Sequence, residues 1–139
     1  MNADGNRSAI VPLEISLLPD RLALARLPPG AVSPYWARGA FFAVLGSAAD
    51  VTVICDEAAV PSGIESRGGF RCLRIASPSE APSAGLIEAA VRPLADAAIN
   101  VFAQSTWETA FILVNEANLE AAISALRAAG HTVKDNPGA

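Results

Sequence analysis

The sequence is poor in the residues that build metal and redox centres: one histidine, two cysteines and no C-x-x-C pair. A zinc site takes about four Cys, His or carboxylate ligands, so no metal is expected. Cys55 in "VTVICD" and Cys72 in "FRCLRI" lie in apolar, strand-like runs and read as buried structural thiols rather than a disulfide. Basic residues are also sparse. There are ten in 139, nine of them arginine, against fourteen acidic residues, for a net charge of −4. Phosphate neutralisation needs a basic stripe, so nucleic acid is excluded as a partner, although single arginines can still serve a pocket. Long apolar runs are missing as well. Hydrophobic residues make up 52%, but alanine supplies much of that, and no stretch reaches the ~18 residues of a membrane span. The opening "MNADGNRSAI" lacks the apolar core of a secretion signal. A soluble, cytoplasmic chain without a membrane partner is expected.

Catalytic constellations are absent from the pattern too. Ser105 has no base near it, and His131 opens a different strand. Glu88 and Asp96 lie on one helix at a spacing that does not make a shared site, and read as solvated face residues. His131 is expected at the surface, at a strand end. Without a convergent acid, base and nucleophile, no enzyme activity and no cofactor are expected.

What the chain does have is a regular second half. "FRCLRIA" (residues 70–76) is a β-branched and aromatic strand run, and "SPSEAPS" after it is a loop. In "AGLIEAAVRPLADAA", Ile87, Ala90, Val91 and Leu94 recur at helical spacing. Pro93 interrupts that helix and should leave the Ala89 carbonyl without its usual donor. "INVFAQST" and "AFILVN" read as a hairpin turning at Trp107 and Glu108, the second strand covered on both faces. Asn118 is placed to cap "LEAAISALRAAG", which Gly130 ends, and "HTV" returns as an edge strand. The order β-α-β-β-α-β is the split plan of ferredoxin-like folds, with both helices on one face of a four-stranded antiparallel sheet.

The first half repeats this plan with its helices cut short. "LEISL" and "RLALARL" are two strand candidates around "LPD", and "LPPGAVSP" is a proline-rich connection. "YWARG" allows a turn of helix at most. "AFFAVLG" and "VTVICD" form a hairpin around "SAAD". A degenerate unit over 13–61 and a complete one over 70–134 are therefore expected, with "SGIESRGG" between them.

The stretch "RPLADAAINVFAQSTWETAFILVNEANLEAAISALRAAGH" resembles the second half of small tandem ACT-domain proteins of the CASTOR-like family, similar to the eukaryotic cytosolic arginine sensors. "STWETAFILV" is the most specific part, and upstream segments extend the resemblance from Leu13 to Val133. The resemblance implies an α+β fold of two ferredoxin-like (βαββαβ) ACT units in tandem. The sheets are antiparallel with helices on one face, and the first unit is degenerate.

It also implies non-catalytic regulation through an amino acid bound at an ACT–ACT interface. The residues carried over are Ser83, Ala84, Gly85 and Leu86 at the loop and helix start, and Ile99, Asn100 and Val101 on the strand. A helix N-terminus offers free N–H groups to a carboxylate, and Gly85 permits close approach. Asn100 reads equally well as an edge-strand residue facing water. Phe102 and Trp107, on an exposed edge and at its tip, are expected to form a homodimer interface; the other reading has Trp107 capping the sheet. Ala110 stands where the family has Asp, so the ligand is expected to be a small or apolar amino acid rather than a cationic one. The alternative is a ligand-free interaction module acting through dimerisation or a regulated partner protein.

Overall fold

A computed structural model describes residues 12–32, 34–76, 85–107 and 109–134. The expected loop containing Ser83 and Ala84, and the turn residue Glu108, lie outside the described residues. The chain enters through β1 (Glu14–Leu27), one 14-residue strand where the sequence suggested two. Pro19 lacks the N–H that a ladder needs, but the register against the neighbouring strand β4 (Ser66–Ala76) shifts between Leu17 and Arg21. A proline is tolerated at such a bulge, so the strand continues through it. The ladder skips Leu18, whose carbonyl accepts from Arg71 Nη2 at 3.1 Å. A second shift, between Leu22 and Leu24, is met on β4 around Gly69, whose φ of +81° suits glycine. Four residues expected in the linker, Ser66–Gly69, thus belong to β4.

The remaining elements are β2 (Ala43–Gly46), β3 (Val51–Asp56), α1 (Leu86–Asp96), β5 (Phe102–Ser105), β6 (Ala110–Asn115), α2 (Leu119–Ala128) and β7 (Thr132–Lys134). Among the described residues the strands form one seven-stranded sheet in the order β2-β3-β1-β4-β6-β5, with β7 on β1. Every pair is antiparallel except β1–β7. This corrects one expectation. In a four-stranded unit β7 would lie beside β4, but Glu14–Ser16 fills that place and β7 pairs with it in parallel. The first half has no described helix beyond a single 3₁₀ turn at Glu57–Ala59.

Both helices cover one face. Ala90 and Leu94 of α1 and Ala122 and Leu126 of α2 pack on Ile15, Leu17, Leu73, Ile75, Ile112 and Val114. β6 is buried on both faces, which accounts for its unbroken apolar run: Ile112 and Val114 meet the helices, while Phe111 and Leu113 pack with Cys72 and Phe41 on the other side. At the far end, Trp36 packs over Ala25, Val53 and Cys55 in place of a helix.

The helix ends follow local chemistry. At the end of α1, Ile99 N–H bonds to Leu94 O at 2.9 Å and Ala98 N–H to Ala95 O at 2.9 Å. At the end of α2, His131 N–H bonds to Leu126 O at 3.1 Å and Gly130 N–H to Arg127 O at 3.0 Å. Both are Schellman endings, with a left-handed residue after the cap: Ala98 (φ +61°) and Gly130 (φ +99°). Ile99 is therefore part of a helix end, and its strand begins only at Phe102. Asn118 makes no side-chain cap; Asn115 does so one 3₁₀ turn earlier, accepting from Ala117 N–H at 2.9 Å.

Candidate functional site

The residues expected to hold a ligand divide between the two ends of α1. Gly85 stands at its start with φ +90°, and nothing lies within 4 Å of where a Cβ would be. Leu86 packs against the core beneath the helices. Ile99, buried, and Asn100, exposed, follow the other end of the helix. With 11 residues α1 is ~16 Å long, so Gly85 and Ile99–Val101 do not share one pocket within a single chain.

At the same end as Gly85 stands the β5–β6 turn. Thr106 and Thr109 close it: Thr106 N–H donates to Thr109 O at 2.8 Å, and Thr109 N–H donates to Thr106 Oγ1 at 3.2 Å. With its ends tied in this way the turn projects Trp107 outward, 97% exposed, and the side chain does not cap the sheet among the described residues. Phe102, 45% exposed on edge strand β5, stacks edge-on against Phe70 at 5.8 Å. It also reaches, with Val101, an open cleft on the helix-free face of the sheet. Ala110 lies in the core under the helices, 1% exposed, so an acid at this position would be buried rather than face a ligand.

Among the described residues the titratable groups do not assemble a catalytic site. Glu88 is paired with Arg92 at 2.6 Å on the exposed side of α1. Burial pushes the Cys72 thiol up to about 12, and burial likewise raises Cys55, against the lowering effect of a backbone hydrogen bond with Arg38. Both cysteines are free and buried, so neither is a thiolate nucleophile near neutral pH. No group of three or more metal-ligating side chains occurs among the described residues. No described helix is long and apolar enough to cross a membrane.

His131 departs most from expectation. It is buried, not at the surface, with 4% of its area exposed. Its Nδ1 accepts from Leu13 N–H at 3.1 Å, and its Nε2 lies 2.9 Å from Ala89 O. The signal was available: the residue after the glycine of a Schellman ending commonly packs back on the helix.

Residues 65–128, which run from just before β4 to the end of α2, match the family model of the ACT domain. Among solved structures the chain is similar to a protein from Agobacterium tumefaciens. The TM-score is 0.85 at 23% identity, covering 91% of this chain and 95% of that one. It is also similar to a protein of unknown function from Vibrio cholerae (TM-score 0.70, 15% identity, 93% and 98% covered). The ligand-free regulatory subunit of aspartate kinase from Thermus thermophilus has the same fold (TM-score 0.58, 12% identity, 88% and 99% covered). At these identities the likeness is one of fold. No curated protein matches the sequence significantly. The fold is that of a small α+β protein with a mainly antiparallel sheet and two helices, as in ACT domains.

Proposed function

We propose that this protein is a non-catalytic, CASTOR-like regulatory module of the cytoplasm that binds an amino acid where ACT units of two copies meet. The match of residues 65–128 to the ACT domain carries the reading. The likeness to a regulatory subunit of aspartate kinase supports regulation as the output. Within the chain, two ACT-like halves, 13–61 and 70–134, share one sheet through β1 and β4. Because Gly85 and Ile99–Val101 lie at opposite ends of α1, the pocket draws on the helix start of one copy and the strand start of the other. Ser83, Ala84, Gly85 and Leu86 supply N–H groups for the ligand carboxylate, and Asn100 and Val101 supply backbone acceptors for its amine. Phe102 and Trp107, both exposed, sit where the copies join and are their contacts.

A thermal-shift series with the proteinogenic amino acids tests this. A ligand that binds only the folded state adds stability of about 2.7 kcal/mol at a hundredfold excess over its Kd. At least one of the amino acids is expected to raise Tm. A series in which no amino acid moves Tm counts against the ligand.

A further inference from the structure

The helix-free face of the sheet holds an open cleft of about 520 Å³. Leu24, Ile54 and Leu113, from three strands, form its floor and belong to the apolar cluster of that face. Its walls are β2 and β5, which stand at the two ends of the strand order, so the sheet curls until its edges face each other. Leu45 on one wall and Phe102 on the other remain 43% and 45% exposed, large apolar side chains turned toward an open space.

The polar lining is sparse: Ser47, Asp50, Thr52 and Gln104. Ser47 Oγ is occupied by the β2–β3 turn, where it accepts from Ala49 N–H at 3.1 Å and Asp50 N–H at 3.3 Å. Among the described residues Asp50 is the one ionisable side chain in the lining, and Arg26 Nε stands 3.7 Å from its Oδ2. That pair is loosely spaced and partly exposed, and Arg26 does not line the cleft, so Asp50 is the charge a ligand there meets. A concavity within ~300–1,000 Å³, mainly apolar, with a few polar groups at one end, is built like a small-molecule site.

We propose that this cleft is a second ligand site, bordered by Val101 and Phe102 of the proposed ACT–ACT interface but distinct from the helix-start pocket at Gly85, that takes an apolar compound carrying a single ammonium group. The apolar body lies over Leu24, Ile54 and Leu113 and excludes water from them and from Leu45 and Phe102. The ammonium group is held by Asp50 at the β2–β3 end. A carboxylate or phosphate in that place meets like charge, which sets the order of preference.

Methyl NMR of the full chain, titrated with phenylbutylamine, phenylbutanol and phenylbutyrate, tests the proposal, because the three probes share one body and differ in head group. The methyls of Leu24, Ile54 and Leu113 are expected to shift saturably, with the amine bound roughly two- to fivefold tighter than the alcohol, the scale of an exposed ion pair, and the acid weakest. Asp50→Asn removes the preference between amine and alcohol, and Asp50→Glu, which keeps the charge, retains it. Leu45→Trp, on an edge strand with room beside it, fills the cleft and blocks all three probes. Far-ultraviolet circular dichroism shows that each variant is folded. Methyls that ignore the amine, an acid that binds as tightly as the amine, or a preference that survives Asp50→Asn overturns the proposal. An amino acid that raises Tm without moving these methyls bears on the interface site alone.

Discussion

His131 Nε2 lies 2.9 Å from the carbonyl oxygen of Ala89, the helical acceptor whose own donor is missing because residue 93 is proline. The other ring nitrogen, Nδ1, accepts from Leu13 N–H, so the proton sits on Nε2 and donates to Ala89. One imidazole thus joins α1, the entry to β1 and the end of α2. α1 runs helical through Pro93 because the lost backbone bond is replaced from outside the helix.

Replacing the ring tests this link. His131→Phe leaves the buried Leu13 N–H and the partly buried Ala89 carbonyl without this partner, at up to about 1–3 kcal/mol each. Urea unfolding is expected to show a loss of that order, and His131→Gln a smaller one, since an amide can donate and accept. In a Pro93→Ala background, where residue 93 again donates to Ala89, His131→Phe is expected to cost less. Strict additivity of the two changes would falsify the bridge.

Ala98 is a non-glycine residue at φ +61°, in the place that Gly130 fills at the end of α2. A Cβ in the left-handed region costs energy that glycine avoids. Ala98→Gly is expected to stabilise the fold by about 0.5–1 kcal/mol, less the entropy that glycine adds to the unfolded chain. A lower midpoint in urea is the contrary result.

Asp56 carries a pH dependence of known sign. Burial, then the negative charge of Asp20, raise its pKa above the ordinary carboxylate value, with Arg38 opposing. Its Oδ1 is buried without a hydrogen-bond partner. The folded state therefore holds this proton more tightly than the unfolded chain. The resulting penalty is present in full above the raised folded pKa and vanishes below the ordinary carboxylate value. Asp56→Asn is expected to raise Tm at neutral pH, with the difference from wild type fading as pH falls through the carboxylate range. A constant or growing difference in melts across that range contradicts the assignment.

A fragment ending near Pro61 is expected not to fold. β1 lies between β4 and its other neighbours along most of its length, and Ile15 and Leu17 are buried by elements beyond residue 70. Without those elements the strand exposes an apolar face and an unpaired edge. A cooperative melt of the fragment would show instead that the first half is autonomous.

The proposed assembly predicts twice the chain mass by light scattering at micromolar protein. Phe102→Asp places a charge on the edge strand and is expected to shift the mass toward monomer. Because Phe102 is about half exposed in one chain, the substitution should leave the monomer fold intact. A wild-type chain that stays monomeric removes both the dimer and the pocket built on it.

Much of this molecule was legible locally. The helical spacing of Ile87, Ala90, Val91 and Leu94, the apolar run of β6, and Gly130 as a helix stop are properties of short windows, because side-chain direction repeats along an element. So was the missing donor at Pro93, which follows from the covalent structure of proline alone. Long-range pairing decided the rest. Pro19 stays within β1 because β4 absorbs a register shift, and β7 finds β1 rather than β4 because Glu14–Ser16 occupies the intervening place. His131 is inside rather than outside because two backbone groups, 42 and 118 residues away, needed partners there. Local periodicity states which face of an element is apolar. Which element covers that face, and which buried donor meets which acceptor, depends on how the whole sheet closes, and only the tertiary structure decides it.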